Sequence, residues 1–511
     1  MLTRFEPPSQ ALPFTFGPPD KFAELRAMLE RMGYRQEAVY ERLDVLEREE
    51  QQADPPPREP RRYVDRLGVL VDLFRGVPVP RRIVQRYLDE RELGLLADFS
   101  LVLPLTEDPD RLRSTVLLYP TESFYIVSDL NHHPAAKTPP PPDVVYPAIT
   151  KNTQQFLSLL PHLPCERFLE LCAGTGIAAL VASRFAGHAW AVDITERSTR
   201  FAQFNVLLNG IQNVTAIQGD LYEPVRERTF DFIVAHPPYV PTPRQEYIFR
   251  DGGEDGEEIT RRILAGLPAH LEPGGRFYCA CMATDRRDAP LEERVRATLG
   301  ADAGDFDVVV LQRGAVQPGE YYAQAAVARR MTLDEATERA DGLEQLGVEH
   351  LVYGSIIVQR RREPREVFTV RQQIGPSTDA KAIEWLLQWH VLVADPAVAE
   401  GLLEARPIAT PGIELRVIHR AHEGQWQADA CSVAARYPFI AEADCSVWVP
   451  QFIARCDGTV TVRDHLRMLK ERGMVREQAD EGDFAGFVRR FLDQGFLQLD
   501  NCRIPATPAE G

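Results

Sequence analysis

The run Phe230-Asp-Phe-Ile-Val-Ala235 reads as a buried strand, and it stops on His236-Pro237-Pro238-Tyr239. Prolines cannot continue a ladder, so the chain must leave the sheet there in a stiff, extended shape. That shape presents an imidazole, two free carbonyls and an aromatic ring. A neutral imidazole accepts one hydrogen bond, and at its ordinary pKa of about 6.5 it can also act as a base. A second group of chemistry-bearing residues lies upstream. Arg167-Phe-Leu-Glu-Leu171 is strand-like and runs into Cys172-Ala-Gly174-Thr-Gly176, after which a helix begins at once. Glycines there let the backbone turn sharply and approach a ligand closely, and the helix N-terminus then faces that ligand. Taken alone, Gly174-Thr-Gly-Ile-Ala-Ala179 also fits the dinucleotide pattern GxGxxA.

Two further carboxylates narrow the choice. Asp193 closes the next strand, HAWAVD, 17 residues after Gly176, where an acid can bind ribose hydroxyls. Asp220 closes the third strand in Gln-Gly-Asp-Leu221, where a carboxylate could accept from an adenine amino group. Glu170, inside the first strand, could face a cationic amino group across the glycine turn. Either aspartate standing alone reads equally well as a helix N-cap. Together, each at the C-terminal end of a successive strand, the acids line one crevice.

Here ELCAGTGIAAL, AVDI, GDLYEP and AHPPYVP, in that order, resemble the motifs of class I S-adenosylmethionine-dependent methyltransferases. Within that class the likeness is to the release-factor glutamine methyltransferases and the related amine methyltransferases of rRNA and DNA. Arg250-Asp251-Gly252-Gly253-Glu254-Asp255-Gly256 is similar to the glycine-rich stretch after the Pro-Pro-Tyr motif of the glutamine enzymes. Leu271-Glu272-Pro273-Gly274-Gly275 resembles their turn before the fifth strand. Val145-Tyr146-Pro147, with Thr150 and Thr153, resembles the lead-in segment that lies over the cofactor. The likeness covers residues 110–370. It implies an S-adenosyl-L-methionine site formed by Glu170, Cys172, Gly174, Gly176, Asp193, Ile194, Asp220, Leu221 and His236, and no metal. It also implies a catalytic group of His236, Pro237 and Tyr239, with Tyr239, Asp251 and Thr150 touching the acceptor.

In the family, an Asn before Pro-Pro-Tyr accepts one N–H of the methyl acceptor and the first proline carbonyl accepts the other. The tyrosine ring packs on the planar acceptor. His236 stands at the Asn position here. It keeps the accepting role and adds a base, which matters most for hydroxyl, phenol or protonated amine acceptors. The expected function is methyl transfer to an amide or planar amine nitrogen of protein or RNA. The alternatives are a small-molecule N- or O-methyltransferase of secondary metabolism and a non-catalytic cofactor-binding regulatory module.

From about residue 144 to 370 strand and helix patterns alternate, which predicts a parallel sheet with helices on both faces. The expected fold class is therefore α/β, a Rossmann-like sheet flanked by an N-terminal helical, winged-helix-like domain and a C-terminal α+β, winged-helix-like domain. The expected boundaries are 1–110, 111–375 (including a lead-in strand pair, STVLLYPTESFYIVSDL) and 376–511. In the first domain DKFAELRAMLERMG is a helix ending on Gly33, and YRQEAVYERLDVLEREE is a second that runs into the connector QQADPPPREP. RRYVDRLGVLVDLFRG and VPRRIVQRYLDERELGLL are two more. KTPPPPD is a stiff spacer. DFDVVVLQRG and HLVYGSIIVQRR, without a full helix pattern between them, suggest an antiparallel edge. The C-terminal stretch reads as turn, helix, helix and closing strand.

Lys plus Arg number 58 against 75 Asp plus Glu, a net charge of −17, which disfavours long-range attraction to nucleic acid or anionic membrane. Arg360-Arg361-Arg362 reads as a solvated strand exit rather than a basic groove. The eight cysteines show no CxxC spacing, which suits reduced thiols, and Cys279 and Cys281 share one strand face as core residues. No stretch approaches the roughly 20 apolar residues of a membrane span, and the first residues lack a basic-then-apolar leader. A cytoplasmic protein is expected, with a protein partner or a dimer contact through the terminal domains. His132 and His133 read as loop residues in solvent, and His465 as a surface position on its helix.

Overall fold

The computed structural model describes residues 11–43, 65–130, 140–244, 246–328 and 330–504. The connector at 51–60, the latter part of the helix expected from Tyr34, the first three residues of the proline spacer and the His132-His133 pair lie outside the described residues. The chain divides into two compact units, residues 1–157 with 162–280, and residues 158–161 with 281–511. The boundary expected after residue 110 falls inside the first unit, and that expected after 375 inside the second.

The first unit opens with α1 (Pro19–Arg31), α2 (Arg66–Phe74), β1 (Val79–Pro80), α3 (Arg81–Tyr87), α4 (Glu90–Asp98), β2 (Val102–Pro104) and β3 (Arg111–Ser114). β3 lies between β1 and β2 and runs antiparallel to both. The one helix expected over 79–96 is in fact two. Asp89 ends the first and caps the second in a capping box: its Oδ1 accepts from Glu92 N at 2.8 Å, while Glu92 Oε2 accepts from Asp89 N at 3.1 Å. An antiparallel pair follows, β4 (Val116–Thr121) and β5 (Phe124–Asp129), with the expected turn made by Glu122 and Ser123 at φ 50° and 61°.

After the lead-in helix α5 (Lys151–Ser158), the α/β layers are built from β6 (Cys165–Leu171), α6 (Ile177–Ala182), β7 (Ala186–Asp193) and α7 (Glu196–Asn209). They continue through β8 (Val214–Gln218), β9 (Phe230–Ala235), α8 (Glu258–His270) and β10 (Leu271–Arg286), whose last residues pass into the second unit. The strand order is β10-β9-β6-β7-β8 and every neighbouring pair is parallel, a Rossmann-like sheet. Its central strands carry near-continuous apolar runs because helices cover both faces.

Helix α7 joins the N-terminal elements to this sheet. Its Phe201 and Phe204 enter an aromatic cluster with Phe14, Phe22 and Phe99; Phe14 lies 4.8 Å from Phe201 and Phe22 lies 4.9 Å from Phe204, centroid to centroid. Edge-on pairs of this kind add about 1 kcal/mol each beyond the area they bury. The same helix also pairs with β5 as another strand would. Asn205 accepts from Val127 N at 2.8 Å and donates to Val127 O at 3.1 Å. One turn on, Asn209 repeats the exchange with Tyr125, at 2.8 and 2.7 Å. A buried ion pair, Arg197 Nε to Asp129 Oδ2 at 2.8 Å, closes the end of that seam.

The second unit contains α9 (Leu291–Thr298), β11 (Phe306–Val316), α10 (Pro318–Val327), α11 (Leu333–Gln345), β12 (Val348–Arg360) and β13 (Thr369–Gln373). β11 and β12 are antiparallel as expected, with β13 parallel on the other side of β11. The two helices between β11 and β12 were not anticipated. A capping box, Thr332 with Glu335, starts the second of them and is its sequence signal.

Next come α12 (Ala380–Val393), β14 (Ile408–Ala409), β15 (Glu414–His422), β16 (Gln425–Ala435), β17 (Ala441–Asp444), α13 (Trp448–Ile453), α14 (Val462–Glu471), α15 (Glu481–Asp493) and β18 (Leu497–Gln498). β14 pairs with β18, and β15–β17 form a separate antiparallel sheet in which β15 is exposed along its whole length. His465 is buried, not on the surface, with its ring edge-on to Phe452 at 5.1 Å; the apolar face of α14 includes it. Arg361 pairs with Asp305 and Arg360 lies over the Phe306 ring, so the arginine run closes a strand. Cys279 and Cys281 are both buried. Among the described residues no helix is long and apolar enough to cross a membrane.

Candidate functional site

In the first unit the order of strands reverses between β6 and β9, the place in an open parallel sheet where a crevice forms beyond the strand ends. A cavity of about 460 Å³ opens there. The ends of β6, β7, β8 and β9 form its floor, the segment from Asp143 to Phe156 one wall, and Ile248–Asp251 with α8 the other.

The turn after β6 is left-handed at three places: Cys172 at φ 55°, Gly174 at 53° and Gly176 at 75°. A Cβ on Gly174 would meet nothing within 4 Å, so the backbone there stands open to a ligand. A Cβ on Gly176 would lie 3.1 Å from that of Ala202, so this glycine lets α7 pack close. Two carboxylates hold the turn. Glu170 lines the cavity and also holds the turn. It accepts from Ala178 N at 3.1 Å and Ala179 N at 2.8 Å, satisfying the first amides of α6, whose N-cap Gly176 has no side chain to do so. Burial pushes its pKa up to about 8 against those two bonds, with a smaller push from Asp193. Asp193 is half-buried; its Oδ2 accepts from Gly174 N at 2.8 Å and its Oδ1 from Thr195 N at 3.0 Å. Thr195 in turn caps α7 through Ser198 N at 2.9 Å. Burial raises the pKa of Asp193 as well, opposed by these donors.

Beside Asp193, Ile194 keeps 53% of its surface exposed at the end of β7. Asp220 is not free: its Oδ2 accepts from Arg262 of α8 at 2.7 Å. Arg262 escaped the sequence reading because 42 residues separate it from its partner. Leu221 sits in a left-handed turn at φ 51°.

At the end of β9 the chain leaves as expected, and a second loop fixes its path. Val240 N donates to Arg250 O at 2.9 Å, Gly252 N to Val240 O at 3.0 Å and Thr242 N to Gly253 O at 2.8 Å. A Cβ on Gly252 would lie 2.8 Å from the Pro238 carbonyl oxygen, and one on Gly256 2.4 Å from that of Tyr239. The glycines of 252–256 are there so that this loop can lie against the lip. Asp251 serves the same loop. Its side chain is fully buried, accepting from Glu246 N at 2.6 Å, Tyr247 N at 2.8 Å and Arg250 Nε at 2.6 Å, so the expected acceptor contact gives way to a structural one.

His236 opens on the cavity with protein around the rest of its ring, and this burial pushes its pKa down to about 4, with no carboxylate nearby to offset it. Among the described residues it makes no hydrogen bond. Its ring lies 5.8 Å from Tyr239, inclined by 21°, and 5.5 Å from Phe156 at 39°. The Tyr239 hydroxyl accepts from Asn152 Nδ2 at 3.0 Å. Thr150 lines the cavity and shares a hydrogen bond with Thr153, Oγ1 to Oγ1 3.1 Å. Asn152 and Phe156 were missed although their i, i+4 spacing on a helix was legible. Also missed was the stacked pair Tyr146 and Phe249, 5.0 Å apart at 11°. Among the described residues no group of three or more His, Cys, Asp or Glu side chains is placed to hold a metal ion.

Residues 146–308 match the family model of the methyltransferase small domain. Over 136 residues the chain is 38% identical to the ribosomal protein uL3 glutamine methyltransferase of Bradyrhizobium diazoefficiens, which covers 24% of this chain and 43% of that protein. It is 31% identical over 126 residues to the release factor glutamine methyltransferase of Thermodesulfovibrio yellowstonii, covering 22% and 45%. Over 141 residues it is 34% identical to a Methanocaldococcus jannaschii protein provisionally named a protein N5-glutamine methyltransferase, covering 26% and 70%. The chain thus spans under half the length of the first two relatives and over two thirds of the third.

Proposed function

Given that the chain belongs to the class I S-adenosylmethionine-dependent methyltransferases, close to the release-factor glutamine group, we propose that it methylates an amide nitrogen of a protein. One observation carries this reading: the rigid His236–Tyr239 lip opens on the same cavity as the glycine turn and its acids. The names of the relatives favour a protein acceptor over RNA or a small molecule.

The residues present fit S-adenosylmethionine. The open space at Gly174 admits a close backbone contact, the exposed Ile194 offers an apolar face for a base, and Asp193 and Asp220 both line the cavity. Glu170 stands where a cationic amino group would find a carboxyl. Bound there, the cofactor supplies a methyl group already activated by its sulfonium.

What the chain must supply is orientation of a weakly nucleophilic nitrogen. A neutral His236 accepts one amide N–H, the Pro237 carbonyl accepts the other, and the Tyr239 ring covers the amide plane. Preorganised acceptors of this kind need no rearrangement as charge develops. Transfer leaves an extra proton on nitrogen. A protonated amide is far more acidic than an imidazolium, so even an imidazole titrating near 4 can take that proton. A hydroxyl acceptor would need a stronger base than His236 provides, which weighs against O-methylation.

The direct test uses methyl-tritiated S-adenosylmethionine and protein extract from cells lacking the gene. Label should enter protein, and hot acid should release it as volatile methylamine, as an N-methyl amide must. Label confined to RNA or small molecules would overturn the proposal, as would acid-stable label on protein. With the cofactor saturating at every pH, the transfer rate in this assay should be flat from about pH 6 to 8, because His236 stays neutral throughout. His236→Asn should keep that profile, while His236→Ala should slow transfer about tenfold through one lost hydrogen bond. Full activity in His236→Ala would remove the residue from the mechanism.

Glu170 should couple cofactor binding to pH. Its free carboxyl titrates near 8, and a bound ammonium would draw that value down, so binding releases a proton. Affinity should therefore rise between roughly pH 6 and 8 and level off above. Calorimetry in two buffers of different ionisation heat measures the proton directly. In Glu170→Gln this component should vanish, while the cofactor's own amine titrates equally against both proteins. An identical slope in both would take Glu170 out of contact with the cofactor's charge.

A further inference from the structure

We propose that α5 is the template for the lip: Asn152 and Phe156, one helical turn apart, are positioning residues that set the orientations of Tyr239 and His236. Residues four apart lie on one helix face, and here that face meets both rings. Asn152 Nδ2 donates to the Tyr239 hydroxyl at 3.0 Å, and the Phe156 ring lies 5.5 Å from that of His236. The triangle closes through the 5.8 Å contact between His236 and Tyr239, whose planes differ by 21°.

The rings need such a template. The torsion that turns an imidazole about its last side-chain bond has broad wells, so packing must choose its angle. A bond to the Tyr239 hydroxyl, on that ring's own axis, instead fixes where the far end of the ring sits. His236 makes no hydrogen bond to a described residue, which leaves its plane to its ring neighbours. If that plane rotates, the accepting nitrogen swings away from the line to the acceptor N–H. The prolines stiffen the backbone of the lip; they do nothing for the His236 torsion or for the far end of Tyr239.

The template is itself anchored. Gln154 Nε2 donates to Thr121 Oγ1 at 3.1 Å and to Ala148 O at 3.0 Å, and Ala148 N donates to the Tyr119 hydroxyl at 2.6 Å. Thr121 and Tyr119 belong to β4. The orientation of the rings therefore derives from the strand pair ahead of the family-matched stretch, through the first turns of α5.

Asn152→Ala tests this by removing the side-chain amide outright, at a position open to solvent and without giving the Tyr239 hydroxyl a new acceptor. In full-length protein carrying 3-fluorotyrosine at position 239, with S-adenosylhomocysteine present, the fluorine resonance should shift or broaden. S-adenosylhomocysteine affinity should stay within about twofold and label transfer to extract protein should slow about tenfold, since small misplacements act on rate more than on binding. Tyr239→Phe should slow transfer by a similar factor, and Asn152→Ala should add nothing in that background. An unmoved fluorine signal, or two effects that multiply, would overturn the proposal. The transfer measurements rest on the function proposed above. The fluorine measurement does not, so an enzyme that labels no protein would sink that reading and still leave this one to be decided.

Discussion

Gly256→Ala should cut label transfer about a hundredfold while leaving S-adenosylhomocysteine affinity within about threefold, because misplacing a positioned group by about 1 Å is enough for such a loss. The added Cβ would stand 2.4 Å from the Tyr239 carbonyl oxygen and 3.2 Å from two carbons of the Pro241 ring. Neither neighbour is a flexible side-chain end; one is backbone and the other a ring closed on it. Gly256 also has φ +80°, which alone costs an alanine about 1–2 kcal/mol. The clash falls where this loop lies against the lip, so the expected relief displaces the lip. Gly256 does not itself line the cavity, so the glycine turn and the strand-end acids should be untouched. Thermal unfolding followed alongside transfer checks that the protein still folds. Unimpaired transfer in a folded Gly256→Ala protein would show that the lip does not position the acceptor.

Asp193→Ala should weaken S-adenosylmethionine binding about thirtyfold, by two separable routes. The ribose loses an acceptor, and Gly174 N and Thr195 N lose theirs. A charge-assisted hydrogen bond is worth about 1.5–3 kcal/mol, and a tenfold change in affinity is about 1.4 kcal/mol. Asp193→Asn separates the routes, since an amide oxygen can still accept from Gly174 N while its NH₂ end cannot accept at all. It should fall between wild type and Asp193→Ala in calorimetric titration. Affinity unchanged in Asp193→Ala would sink the assigned crevice.

The sheet was readable in the sequence because its strands carry apolar runs that end where glycines or prolines turn the chain. Gly174 and Gly176 after β6, and Pro237 and Pro238 after β9, are such stops. Helix breaks were harder to see: Asp89 with Glu92 and Thr332 with Glu335 each start a helix by a capping box, a signal of two residues set in longer helical runs. Strand alternation gives the face a side chain takes but not its partner. Glu170 was therefore placed on the right strand while its bonds to Ala178 and Ala179 were not foreseen. The Arg262–Asp220 pair joins residues 42 apart, and no local pattern contains it. The basicity of His236 depends on what surrounds the ring. Its residue type suggested a base at neutral pH; its burial keeps the ring neutral there and makes it a weaker base than a free imidazole.

The side chain of Asn205 reaches beyond the strand it pairs with. Its Nδ2 also donates to the carbonyl of Thr175, inside the glycine turn, at 3.0 Å. One amide is thus shared between β5 and the loop that would meet a ligand. A chain shortened to the family-matched residues 146–308 would leave Asn205, Asn209 and Arg197 facing water, and the Asn205 amide that meets the turn without its anchor on β5. The smallest stretch recognisable by homology is therefore not the smallest stretch that can work. In this protein heredity and mechanical self-sufficiency have different borders, and the second lies at least as far forward as Tyr125.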